Sequence, residues 1–170
     1  MNEIVNRIAQ SGLVTIDLAE YFPKTEEIRV LDIKDYLFQG LILREKEYRQ
    51  ALQQKDWSEF QDRYAGIICS TDAIIPLWAY MLPVHYLQPI ARKIYYGNDE
   101  AVRLQAAIDR IYALPVESYR AQRVLVRGCG DEPIPPQLYI AITEKLRPYV
   151  KSLMYGEACS HIPIYKQKDT

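Results

Sequence analysis

Two histidines, three cysteines and seven glycines in 170 residues leave this chain few of the groups on which catalysis and metal binding are usually built. The cysteines, Cys69, Cys129 and Cys159, are an odd set spread far apart, which excludes the disulfide framework of a small secreted domain. An excess of one charge is lacking too. With 21 Lys+Arg against 22 Asp+Glu the formal net charge is -1, so no basic field gathers nucleic acid or anionic lipid. No apolar run approaches the roughly 18 residues of a membrane span. The opening MNEIVNRIAQSG has neither the basic nor the apolar region of a leader peptide. These absences predict a cytoplasmic protein with no nucleic-acid and no membrane partner. Enzyme motifs are missing as well: there is no P-loop, HExxH or GxSxG, and Gly128-Cys129-Gly130 lacks the third glycine and acidic residue of a dinucleotide fingerprint.

What is present is apolar residue, 49% of the chain, enough for one sizeable core and a single domain over residues 1–170. Fourteen tyrosines suit amphipathic helix faces or a contact between two copies of the chain. Leu13 to Leu18 and Ile28 to Ile33 alternate apolar and polar residues as half-buried strands do, and form an N-terminal hairpin-like segment. Asp35 to about Gln54 has mostly helical spacing. From Tyr64 the chain alternates predicted strands (Ala65 to Cys69, Lys93 to Tyr96, Arg123 to Val126, Ser152 to Tyr155) with predicted helices (Asp72 to Ile90, Asp99 to Tyr112, Pro135 to Arg147). Such alternation predicts an α/β fold, a mostly parallel sheet flanked by helices, because parallel neighbours need crossover connections. Pro83 falls inside the first of these helices and is expected to kink or break it.

An internal repeat lies within this region. Residues 72–97 placed over 131–156 need no gap, and eight of the 26 positions are identical, among them Asp72/Asp131, Pro76/Pro135, Tyr80/Tyr139, Tyr96/Tyr155 and Gly97/Gly156. An apolar strand ending near a cysteine precedes each copy, so the repeat is a strand-loop-helix-strand unit over about 64–97 and 123–156.

In open parallel sheets ligands bind beyond the strand C-termini, and the three cysteines all follow predicted strands. Cys69, Cys129, Cys159 and His161 therefore form a candidate metal site, with Asp72, Asp131 and Glu157 as further candidate ligands. Thiolates with one nitrogen or oxygen suit zinc, and three thiolates with one open iron suit an iron-sulfur cluster, the less favoured cofactor. Having no cofactor is the third possibility. No CxxC spacing supports the set, and free cysteines are commonly buried as small hydrophobes. Asp72 and Asp131 have capping of the following helix as their ordinary role. Two other classes stand beside the metal protein. One is a non-enzymatic interaction protein, homodimeric through tyrosine-rich helix faces, in which the thiols only pack. The other is a metal-free thiol enzyme using Cys129, where flanking Gly128 and Gly130 permit close backbone approach and Arg127 would favour the thiolate. His85 and Trp57 read as packed or solvated helix and core residues. A catalytic residue, a small-molecule ligand and the answer to whether this is an enzyme are not legible.

The segments VNRIAQSGLVTIDLAEYFP, DIKDYLFQGLILREKEYR, CSTDAIIPLWAYML, RGCGD and KSLMYGEACSHIPIYK together resemble a bacterial family of short cytoplasmic proteins of unknown function, over nearly the whole chain. The resemblance implies no activity and assigns no site residue.

Overall fold

In the computed structural model, which describes residues 12–128 and 133–168, strands and helices alternate in a mixed α/β structure. In chain order the elements are β1 (Leu13–Asp17), β2 (Ile28–Asp32), β3 (Leu37–Phe38), β4 (Ile42–Leu43), α1 (Glu45–Gln54), β5 (Tyr64–Ile68), α2 (Trp78–Leu87), β6 (Lys93–Tyr96), α3 (Asp99–Tyr112), β7 (Arg123–Arg127), α4 (Pro136–Leu146), β8 (Ser152–Glu157) and β9 (Ser160–Lys166). The chain divides into two units. One, Pro23–Ala106, is inserted into the other, which is built from the residues before and after it.

The inserted unit is a parallel sheet of order β2-β5-β6. Strand alternation separates its two faces. Ala65 and Ile67 of β5 pack with Tyr48 and Leu52 of α1 and Ala79 and Leu87 of α2, while Tyr64 packs with Val102 and Ala106 of α3. The host unit is a sheet of order β1-β7-β8-β9, parallel except for β9, which runs antiparallel to β8.

The 59-residue offset of the sequence repeat recurs as identical strand register. Tyr64 pairs with Lys93 between β5 and β6, and Arg123 with Ser152 between β7 and β8. Asp62 and Ala121, both at positive φ (55° and 58°), donate their N–H groups to the carbonyls of Ile90 and Tyr149 at corresponding places. The duplication also reaches further than residues 64–97 and 123–156. Ile28 of β2 is opposite Tyr64, and Leu13 of β1 is opposite Arg123. Asp17 and Asp32, each the last residue of its strand, accept a hydrogen bond from the N–H two residues on, Ala19 and Lys34, both at 3.0 Å, and so start a 3₁₀ turn. Each turn ends in tyrosine, Tyr21 or Tyr36.

Four expectations need correction. β1 and β2 do not pair with each other but enter different sheets, and the N-terminal hairpin is formed by β3 and β4. The helix expected from Asp35 begins only at Glu45, because Gln39 and Gly40 take positive φ (51° and 71°) and turn the chain between those two short strands. The helix expected from Asp72 begins at Trp78, after an irregular segment, so Asp72 caps nothing. Pro83 does not end α2. A proline cannot donate to the carbonyl four residues back, and that carbonyl, Ala79, instead accepts from the buried Tyr48 hydroxyl at 3.0 Å.

Candidate functional site

Cys69 follows β5 in the inserted unit, half-buried against its core, with Sγ 3.4 Å from Thr71 Oγ1. Cys159 is exposed in the two-residue turn between β8 and β9 of the host unit, and His161 is exposed on β9 opposite Gly156. His161 is thus part of a strand, one not predicted from the sequence. Pro163 hid the strand in the sequence, and is tolerated because β9 is an edge strand. Glu157 lies 4.0 Å from Arg127, which also pairs with Asp17 at 3.1 Å. Cys129 and Asp131 lie outside the described residues. Among the described residues no group of three His, Cys, Asp or Glu side chains is placed to hold a metal ion.

Beside Cys69 the inserted unit has a polar corner at the strand C-termini. Asp32 Oδ1 accepts from the N–H groups of Lys34 and Ser70, both at 3.0 Å, and Oδ2 lies 3.4 Å from Lys34 Nζ. Partial burial opposes its charge. Hydrogen bonds from the Ser70 hydroxyl and from both N–H groups, with the Lys34 charge, outweigh that and hold the carboxyl below the ordinary aspartate value. A group whose pKa falls on folding contributes stability that is complete above about pH 4 and is lost as the pH drops through its folded value. Asp32→Asn is therefore expected to lower stability at neutral pH and to flatten the acid side of the stability curve. Thermal unfolding from pH 7 to 3 checks this, and parallel curves for the two proteins would contradict it.

Next to this corner a cleft of about 220 Å³ opens between α2 and the strands, lined by Ile67, Tyr80, Val84, Ile94, Tyr95 and Tyr96. Tyr80 and Tyr96 meet edge to face, centroids 5.9 Å apart. Burial, followed by the nearby Cys69, Tyr96 and Asp32, raises the Tyr80 pKa and keeps its hydroxyl protonated at neutral pH.

The host unit holds the counterpart, a cleft of about 330 Å³ lined by Val126, Tyr139, Thr143, Leu153, Met154 and Tyr155, with Ile164 in addition. Each of the first six is a lining residue of the inserted unit's cleft moved by 59 positions. Tyr139 and Tyr155 repeat the edge-to-face contact at 5.6 Å. The cleft residues went unrecognised in the sequence, although the identities Tyr80/Tyr139 and Tyr96/Tyr155 were its signal. One tyrosine of each pair is on a helix and the other on a strand, so nothing local joins them.

Fold and site together define a class: an internally duplicated α/β protein with an aromatic-walled cleft in each unit, between a helix and the strands beneath it. The chain belongs to the family described as Protein of unknown function (DUF2480), whose profile matches residues 2–167. No curated protein and no solved structure matches it. Among the described residues no helix is long and apolar enough to cross a membrane.

Proposed function

We propose that this protein is a binding module whose working site is the inserted unit's cleft, taking an apolar group of a ligand or partner between α2 and β6. The recurrence of all six lining positions at one offset carries this reading. A cleft that merely reflected imperfect packing would have no reason to keep the same tyrosine pair in the same geometry. The lining supports binding over a bond-changing step, because among the described residues its only polar side-chain groups are tyrosine hydroxyls, and Tyr80 keeps its proton. The exposed thiol of Cys159 supports a reducing compartment, the cytoplasm, as the place of action.

The test uses the fluorophore 1-anilinonaphthalene-8-sulfonate with the whole protein. Val84 is half-buried on the cleft wall, so Val84→Glu leaves room for the carboxylate to reach water in the empty cleft, but an apolar occupant would have to desolvate it. Affinity is expected to fall about tenfold or more in Val84→Glu, with circular dichroism unchanged. It is expected to hold when Cys69, Cys129 and Cys159 are all replaced by serine. Fluorescence indifferent to Val84→Glu, or lost with the thiols, would overturn the proposal.

A further inference from the structure

The host unit shows what lies beside such a cleft. There β9 adds to the sheet antiparallel to β8, with Tyr165 opposite Leu153, Pro163 opposite Met154 and Ile162 opposite Tyr155. The register shifts between Leu153 and Met154, which leaves Ile164 as the bulged residue, and Ile164 lines the cleft. The inserted unit reproduces β8 as β6, but has no element corresponding to β9. Gly97 and Gly156 end the equivalence at the same place and with similar φ, +132° and +124°. After Gly156 the chain turns back as a hairpin. After Gly97 it enters α3, where Asn98 Oδ1 accepts from the Ala101 N–H at 3.0 Å. Among the described residues β6 is thus an edge strand of its sheet.

We propose that the β6 edge takes an extended strand from a partner protein, antiparallel to β6, with an aliphatic side chain seated in the cleft as Ile164 is seated in the host unit. This rests on the cleft reading above and names the class of partner. Exposure of the matched tyrosines agrees with it: Tyr155, beside β9, is 44% exposed, and Tyr96, its counterpart on β6, is 73% exposed. The apolar surface also continues past the cleft. Helical spacing puts Leu77 and Met81 on the same side of α2 as Tyr80 and Val84, and they are 81% and 71% exposed. Edge strands recruit further strands through their main-chain groups, while pockets for particular side chains supply selectivity. The host unit predicts the register, with partner residues corresponding to Tyr165, Pro163 and Ile162 opposite Ile94, Tyr95 and Tyr96. A second copy is the weaker occupant. Pairing β6 with itself would bring a second α2 against the first, whereas β9 approaches the host cleft as a strand carrying no helix of its own.

The probe is the capped synthetic peptide SHIPIYK, the sequence of β9, titrated into the ¹⁵N-labelled intact protein. Saturable amide shifts are expected at Lys93–Tyr96 and along α2. They are expected to weaken about tenfold or more with Val84→Glu, or when the peptide carries Ile164→Asp. A peptide N-methylated on the backbone should bind no better than the Ile164→Asp peptide, since strand pairing needs its N–H groups. Shifts confined to β8 and α4, or N-methylation without effect, would overturn the proposal. Absence of peptide binding while the fluorophore still binds would refute strand docking and leave the cleft standing; absence of both would remove the cleft as well. A concentration-dependent dimer in sedimentation, abolished by Val84→Glu and unaffected by the peptide, would assign the edge to a second copy and likewise overturn it.

Discussion

Tyr48→Phe is expected to destabilise the inserted unit by about 1–3 kcal/mol, although it removes a single oxygen atom. The Tyr48 ring is fully buried, and its hydroxyl donates to the carbonyl of Ala79, itself fully buried, at 3.0 Å. That carbonyl faces Pro83, which has no N–H to give it, so the phenylalanine variant leaves a buried acceptor with no partner. Burial, with Tyr36 and Tyr80 as neighbours, raises the Tyr48 pKa, so the donor persists at every pH at which the protein is ordinarily handled. The diagnostic measurement is a double-mutant cycle. Pro83→Ala restores the helical donor to Ala79, and in that background Tyr48→Phe is expected to cost about 1 kcal/mol less. Equal costs in both backgrounds would mean that the hydroxyl acts through something other than the orphaned carbonyl. The duplication supplies a natural control, because the residue of α4 that matches Pro83 is Ile142, which keeps the N–H that the proline lacks.

Gly97→Ala is expected to cost more, about 1–3 kcal/mol in backbone strain and a similar amount from overpacking. At φ +132° an L side chain is strained whatever space surrounds it, and here an added Cβ would lie 2.6 Å from Ala101 Cβ in the first turn of α3. Gly156→Ala meets the same two penalties, its Cβ falling 2.6 Å from the carbonyl oxygen of Ser160 in β9. Gly40→Ala separates strain from crowding. Its φ is +71° with nothing within 4 Å of the added carbon, so it is expected to cost only about 1 kcal/mol. Denaturant unfolding of the three variants checks the ranking, and a Gly40 variant as unstable as the Gly97 variant would refute the crowding argument. Both glycines sit where the duplicated strands part company. Gly97 admits a helix and Gly156 a hairpin, and that divergence leaves β6 as an edge while β8 is covered.

Regular local patterns made much of the fold legible. β6 and α3 have the boundaries expected of them, and β5, β7, β8 and α4 differ from expectation by a residue or two. Where two patterns compete over a short stretch, spacing misled. Tyr36, Phe38 and Leu41 fit a helix as well as they fit two short strands, and the decision fell to Gln39 and Gly40, whose positive φ turns the chain. α2 starts six residues after Asp72, although Ser70, Thr71 and Asp72 resemble caps, and the helix waits until after Pro76. The matching α4 starts after Pro135, the residue aligned with Pro76, so the repeat itself contained the correction. The fifteen-residue spacing of Asp17 and Asp32, and of Tyr21 and Tyr36, was present too, but a single strand and turn is too short to stand out as a repeat.

Sequence by itself determined the α/β class, the order of the elements from β5 to β8 and the duplication at 59 residues, because each depends on periodicities of two or 3.6 residues and on side chains that recur along the chain. Tertiary structure alone decided that β1 and β2 enter different sheets, that Tyr48 completes the proline-bearing helix, and that the tyrosine pairs wall two clefts of which only one lies beside an added strand. These are choices of partner. A strand's own residues state which of its faces is buried, but its neighbour is chosen by hydrogen bonding and burial across distant parts of the chain, and no local pattern encodes that choice.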